Sequence, residues 1–406
     1  MESRPRIAHV ITRLDLGGSA DCTVLTVLGT MGRFPSLLVH GPTVVPTRYL
    51  GRLREQGGDI VLLPALVRNL SPRQDLRALL ELVRLFRREQ VTLVHTHTSK
   101  AGVLGRLAAL FAGCPVIVHT PHGHVFTGYF STPLVAVFVV CERVLAPFTD
   151  RIVTLTRQGI EEHLERGIGR REQYTAIHSG IVLEEYRRRE QDERREARAA
   201  AGFDDETVVL GWVGRLEPIK DPLTALLAFA RVAESQPAVH LVMVGDGPLE
   251  AEIHAFLTEH GLEERVHLWT DRPNASEVFA LLDLFLLTSR NEGMGRVLVE
   301  AMLNALPVVA TRVGGVSEVV EHGSTGWLVG PGDVEGLVAR VLTLVRDVSL
   351  RRRFGEAGRL RAQSYSDKLM VEAHLELYVA LLEGVPNRRS PVRRLAQFVG
   401  SWLRPA

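Results

Sequence analysis

Two glutamates with seven residues between them, Glu292 and Glu300, flank a glycine-punctuated stretch that includes Gly293, Met294, Gly295, Arg296, Val297 and Leu298. Carboxylates at this spacing suit one of two kinds of chemistry. As an acid and a nucleophile they would hydrolyse a glycoside. As acceptors they would hold sugar hydroxyls through charge-assisted hydrogen bonds. The residues around them favour the second. An apolar run, Val278 to Leu287, ends at Thr288 and Ser289, a glycine loop follows, and a helix-like segment runs from Val297 to Asn304. That order turns backbone N–H groups and the positive end of a helix toward an anion, and phosphate has no part in glycoside hydrolysis. With Glu292 in the loop and Glu300 about a turn into the helix, the stretch fits a sugar and a ribose on either side of a diphosphate. A plain loop before a capped helix would explain the same residues without a ligand, since single motifs often mislead.

A diphosphate needs cations. Arg215 and Lys220 stand in the segment Gly214-Arg215-Leu216-Glu217-Pro218-Ile219-Lys220-Asp221-Pro222, which follows the apolar run Val208 to Val213. Two cations there would neutralise a diphosphate without a metal ion. Of 48 basic residues only Lys100, Lys220 and Lys368 are lysine, so a lysine kept in this arginine-rich background answers a local need for a compact ammonium. The competing reading is a surface ion pair with Glu217 or Asp221. No Asp-x-Asp motif offers a metal site at the diphosphate.

A third group is imidazole. His95 and His97 end one strand-like run, and His119-Thr120-Pro121-His122-Gly123-His124 ends the next. Zinc requires three or four ligands, and neither segment contains Asp, Glu or Cys. No metal is therefore expected. His97 and His119 read as satisfied structural groups, and His122 and His124, beside Gly123, as functional candidates.

These residues must be positioned by strands alternating with helices. Ile7 to Ile11, Leu37 to His40, Ile60 to Leu63, Val91 to His95, Val116 to Val118, Arg151 to Thr154 and Tyr174 to Ile177 read as a first set of strands. Leu76, Leu79, Leu80, Val83 and Phe86 give Asp75 to Glu89 helical spacing. Gly17-Gly18 lies in a strand-to-helix loop, where α/β folds meet ligands, but it is not a GxGxxG fingerprint. Ser131 to Phe148 is apolar, with Glu142-Arg143 inside it, and fits either a core helix or a surface for a greasy acceptor. Glu184 to Ala201, densely charged, reads as a solvated connecting helix. A second set of strands begins at Val208. Two successive sets predict two doubly wound domains, and 406 residues suit two domains plus an extension.

Composition narrows the class. A net charge of +1 argues against a nucleic-acid binder, and 46% apolar with 23% charged residues is a globular balance. Cys22, Cys114 and Cys141 have no metal or redox spacing and fit a reducing cytoplasm. The tail has no acidic residue after Glu383, and it carries Arg388, Arg389, Arg393, Arg394 and Arg404. Val392, Leu395, Phe398, Val399, Trp402 and Leu403 recur there at helical spacing, the pattern of an interfacial membrane helix.

Taken together, Gly17-Gly18, His122-Gly123, Gly214-Arg215-Leu216 through Lys220, Gly245-Asp246-Gly247-Pro248 and the Glu292-x7-Glu300 pair resemble the retaining glycosyltransferases of the GT-B fold, family 4, over nearly the whole chain. The resemblance implies an α/β GT-B architecture of two Rossmann-like domains facing across a cleft. Residues 1–182 would form the acceptor-side domain, 183–365 the nucleotide-sugar domain, and 366–406 a helix crossing back plus the basic tail. Arg215 and Lys220 would hold the donor diphosphate, and Glu300 the ribose. Glu292, with the backbone of Met294 to Leu298, would hold the donor sugar and phosphate. His122 would lie near the anomeric carbon, and Gly17-Gly18 would let the first domain approach the diphosphate. Arg272 is counted with the donor side, Lys100 and His124 with the acceptor side. His97-Thr98-Ser99-Lys100-Ala101-Gly102 with His122 to Phe126 is similar to a bacterial polysaccharide or lipid-carrier branch, whereas Met294-Gly295-Arg296 mixes the family's patterns. The expected enzyme is a metal-independent retaining transferase, cytoplasmic or peripheral on the inner membrane face, with no cofactor. It would move a sugar from a nucleoside diphosphate sugar to a bacterial glycan or lipid-linked acceptor. A GT-B epimerase or phosphorylase, and a metal hydrolase built on the histidines, are the rivals.

Overall fold

The computed structural model describes residues 4–123, 132–186, 190–270 and 276–383. His124, Arg272 and the basic tail lie outside them. The chain forms two compact units, one from residues 1–180 and 367–406, the other from 181–366.

In the first unit seven parallel strands run β1 (Arg6–Ile11), β2 (Ser36–His40), β3 (Asp59–Leu62), β4 (Val91–His97), β5 (Val116–Thr120), β6 (Arg151–Thr154) and β7 (Tyr174–Ala176). Their order across the sheet is β3-β2-β1-β4-β5-β6-β7. β1, β2, β4 and β5 are almost wholly buried, which is why they read as continuous apolar runs rather than alternating ones. The helix Asp367–Glu383 belongs to this unit and packs on the helix Gly18–Thr30.

The second unit has six parallel strands: β8 (Val208–Val213), β9 (Val239–Val244), β10 (Val266–Trp269), β11 (Leu284–Leu287), β12 (Val308–Thr311) and β13 (Gly326–Val329). Their order is β10-β9-β8-β11-β12-β13. Asp333 caps the helix Val334–Arg346 by accepting from Gly336 N at 2.8 Å, and Asp347 caps Val348–Ala362 through Leu350 N at 2.8 Å. Each cap satisfies an orphan N–H of the first turn.

Three local expectations change. The helix Pro72–Arg88 buries Ala78, Leu82, Leu85 and Phe86, whereas Leu76 and Leu80 are 58% and 48% exposed. Apolar spacing marks a stripe wider than the face that finally packs. The helix Thr132–Leu145 is no core helix, because Val137 and Val140 are 56% and 55% exposed. The charged segment after Leu183 is a 3-10 turn, Leu183–Tyr186, and then a helix, Gln191–Ala200. It is not simply solvated. Arg198 is buried and donates to Leu281 O at 2.6 Å and Asp283 Oδ2 at 3.0 Å.

Candidate functional site

In the second unit the strand order reverses between β8 and β11, so the loops leaving these neighbours diverge and open a crevice at their carboxyl ends. The β8 loop carries Arg215 and Lys220, and the β11 loop carries Glu292. Lys220 Nζ lies 2.5 Å from Glu292 Oε1, and Ser289 Oγ donates to the same oxygen at 2.8 Å. Asp221, offered as a surface partner for Lys220, instead accepts from Arg290 Nε at 2.9 Å. Arg215 does form the surface pair, 2.7 Å from Glu217, and is 55% exposed.

Both loops are pinned from below. Thr288 Oγ1 donates to Asp221 O at 2.7 Å and accepts from Trp212 Nε1 at 3.1 Å. Gly314 has a φ of +44°, and a Cβ there would run into the Glu292 carbonyl oxygen. Gly245, at φ +142°, approaches the Gly214 carbonyl in the same way, so the Gly245-Asp246-Gly247-Pro248 turn supports the Arg215 loop. Leu216 N donates to Asp246 O at 2.7 Å across that support. Only residues without a Cβ allow such approach.

The helix Arg296–Leu303 starts after Gly295, which is left-handed at φ 80°. Met294 and Leu298 are buried beneath it, while Gly293, Arg296, Val297 and Glu300 are half-buried. Glu300 lies a turn into this helix.

The first unit has its own reversal, between β1 and β4. Gly17, exposed and at φ 147°, precedes the helix Gly18–Thr30 in the loop after β1. Lys100 opens the helix after β4, 2.5 Å from Asp75 and donating to Asn69 O. Thr98 and His122, which follow β4 and β5, are non-glycine residues at φ 66° and 57°. Such geometry costs on the order of 1–3 kcal/mol per residue, and at Thr98 the surroundings hold it: Thr98 N donates to Thr120 O at 3.0 Å.

Pleating sorts the histidines. His9, His95 and His97 share one sheet face, since β1 pairs His9 with His95 and Ile11 with His97. His97 Nε2 is 3.1 Å from His9 Nδ1, and His97 Nδ1 is 2.8 Å from His122 Nε2. His95 engages Tyr378 Oη at 2.6 Å and Thr120 Oγ1 at 2.7 Å. Thr96 and His119 face the other way: His119 Nδ1 meets Thr96 Oγ1 at 2.9 Å, near the buried Arg106–Glu142 pair. Burial pulls His9 and His119 down to about 3 and His374 to about 4, and drives His95 and His97 well below the usual imidazole value. Burial raises the Glu142 carboxyl, but the Arg106 guanidinium outweighs it and brings it to about 2. His119 is thus a structural group. His97 instead touches a candidate site residue.

His9, His95 and His97 also lie within metal-ligand spacing of one another. Both ring nitrogens of His95 and of His97 are already hydrogen-bonded, leaving His9 Nε2 alone without a partner. The donor set fits a hydrogen-bonded network better than a cation. Sequence inspection missed His9, although a polar residue inside the apolar run Ile7 to Ile11 is a usable signal.

Two doubly wound units, each with its polar loop residues at a strand-order reversal, define the GT-B architecture. The crystal structure of Anabaena HepE in complex with UDP-glucose has this fold, with a TM-score of 0.78, 24% identity, and 92% of this chain and 99% of that chain covered. Residues 6–180 match the family described as glycosyl transferase 4-like domain, and residues 193–361 match glycosyl transferases group 1. The chain belongs to this family of glycosyltransferases. It is 29% identical to the Escherichia coli UDP-Gal:alpha-D-GlcNAc-diphosphoundecaprenol alpha-1,3-galactosyltransferase, over 70% of this chain and 74% of that one. It is 23% identical to the Staphylococcus aureus capsular polysaccharide biosynthesis glycosyltransferase CapM, over 82% and 88%.

Proposed function

We propose that this chain is a retaining, metal-independent glycosyltransferase that moves a sugar from a nucleoside diphosphate sugar to a glycan or lipid-linked acceptor in bacterial polysaccharide or cell-envelope biosynthesis. The observation that carries this reading is the Lys220–Glu292 pair across the β8–β11 reversal. The ammonium is held where a leaving diphosphate would develop charge, and a preorganised cation is worth most at that point. Glu292 aims Lys220 and offers its carboxylate to a donor-sugar hydroxyl. Glu300 takes the ribose, and Arg215 leaves its exposed partner Glu217 for phosphate. The new glycosidic bond forms on the face from which the diphosphate departs. A phosphate oxygen of the leaving group takes the acceptor's proton, so no side chain need serve as a strong base.

The names of the relatives support the substrate classes: UDP-galactose and a diphosphoundecaprenol-linked sugar for one, a capsular polysaccharide for the other, and UDP-glucose bound in the fold neighbour. Transfer assays with nucleoside diphosphate sugars, with and without EDTA, test the proposal. Full activity in chelator and a product with the donor's anomeric configuration by NMR are expected. An inverted product refutes retention. Activity lost in EDTA and restored by magnesium or manganese refutes the assignment of Arg215 and Lys220 as the diphosphate's sole counterions.

The proposal includes a peripheral site on the cytoplasmic membrane face. Among the described residues no helix is long and apolar enough to cross a membrane. The basic tail, outside the described residues, supplies the attraction through its five Arg, each worth on the order of 1 kcal/mol near anionic lipid. Truncation after Glu383 should abolish salt-sensitive co-sedimentation with anionic liposomes, and equal binding of both forms would refute it.

A further inference from the structure

The resemblance to family 4 would bring one imidazole of the first unit, His122, near the anomeric carbon, and His122 joins a line of buried rings. His122 Nε2 meets His97 Nδ1 at 2.8 Å, and His97 Nε2 meets His9 Nδ1 at 3.1 Å. His9 and His97 are 0% and 1% exposed. The line ends at His9 Nε2, which is buried and has no hydrogen-bond partner. The His9 and His97 rings are stacked at 13° with centroids 5.4 Å apart, and the Tyr378 ring edge closes the far side at 6.1 Å. The Tyr378 hydroxyl is turned to His95 and does not serve His9.

We propose that His97, backed by His9, is a positioning residue that fixes His122 in the tautomer with Nε2 as acceptor and Nδ1 protonated. The inference rests on the reading of His122 as a sugar-facing group. The His9 and His97 rings are neutral, because their burial opposes charging. A neutral imidazole has one N–H and one lone pair, so two contacts in series allow two polarities. In the inward polarity His122 donates to His97, His97 donates to His9, and His9 Nε2–H is left as a buried donor with nothing to accept it. In the outward polarity His9 donates to His97, His97 donates to His122, and only a bare lone pair is buried. Orphaned buried N–H groups are the rarer case in folded proteins. The sealed end at His9 therefore selects the outward polarity.

His122 then presents a hydrogen-bond donor, not an acceptor, to a hydroxyl oxygen of the bound sugar. The left-handed backbone at φ 57° and the His97 contact together hold the ring. His95 stands beside the line, 4.2 Å from His97 by ring centroids, and is occupied at both nitrogens by Tyr378 and Thr120, so it does not compete for His97.

Nitrogen-15 NMR of histidine-labelled full-length protein tests the tautomer directly, with the His122 signals assigned by their loss in His122→Gln. Protonated Nδ1 and unprotonated Nε2 at His122 and His97 are expected. Protonated Nε2 at His122, or metal-shifted ring nitrogens with stoichiometric zinc by elemental analysis, would overturn the proposal. No substituted protein other than the assignment control has to fold for that result. Among variants, His97→Leu should lower kcat on the order of a hundredfold with little change in donor KM, the scale expected when a reacting group is misplaced. His97→Asn keeps a donor at the Nδ1 position and should recover most of that loss. Equal loss in both variants would refute positioning through the hydrogen bond. Wild-type turnover in His122→Gln would refute the sugar-facing reading instead, and the NMR result would still decide the polarity of the line.

Discussion

Lys220 and Arg215 have the same charge and the same loop, but the structure holds them unequally. Lys220 is 23% exposed and held by a buried carboxylate, whereas Arg215 is 55% exposed and paired at the surface. Lys220→Ala should lower turnover by about two to three powers of ten, the cost of losing a preorganised charge partner. Arg215→Ala should cost less, about tenfold, because an exposed ion pair is weakly organised. Steady-state kinetics at saturating donor would check the order, and a larger loss at Arg215 would contradict it. Glu300, a turn beyond the loop, should act differently. Glu300→Gln should raise donor KM and leave kcat nearly unchanged, because a ribose contact is made equally in the ground and transition states. A fall in kcat at constant KM would remove it from the ribose.

At the scale of elements, the site depends on backbone approach that side chains would forbid. Gly314→Ala adds a Cβ against the Glu292 carbonyl at a left-handed position. It should displace the β11 loop, reduce transfer at least as much as Lys220→Ala, and lower the melting temperature measurably. Circular dichroism melts and activity together would check this, and a variant with unchanged kinetics would show that the loop is not fixed by Gly314. The loop's composition was legible: the glycines and the helix start predicted the helix closely, at Arg296–Leu303, but of the apolar run Val278 to Leu287 only Leu284–Leu287 is strand and its start belongs to the short helix Ser276–Phe279. Which face of a helix packs was less legible. Leu76 and Leu80 have the spacing of a core face and are exposed, because the neighbouring elements cover only part of a wide apolar stripe.

Across the whole molecule, buried imidazoles make stability depend on pH. Burial lowers His9, His119 and His374 to about 3, 3 and 4 from an ordinary 6.5, and drives His95 and His97 well below it. Each binds a proton more readily unfolded than folded, so unfolding takes up protons below about 6.5 and stability drops as pH falls toward about 4. These groups make no such contribution to the pH dependence above that window. The ionised Glu142 stays charged throughout, being held near 2. The melting temperature should be flat above the imidazole range and fall steeply on acidification. Scanning fluorimetry over a pH series would check it, and a constant melting temperature across the window would refute the burial of these neutral rings. What the sequence determined by itself was the repertoire: two sets of parallel strands, the glycine loops, Lys220, Glu292 and Glu300, all set by local periodicity and turn chemistry. It could not pair Lys220 with Glu292, 72 residues away, or choose that carboxylate over Asp221. That choice follows from β8 and β11 becoming neighbours in the sheet. Likewise His95 and His97 were visible as a motif, but the joining of His97 to His9 required the register of β1 against β4, and its joining to His122 the pairing of β5 with β4. Strand adjacency and register are set by the packing of the whole unit, so only the tertiary structure decided which of these groups touch.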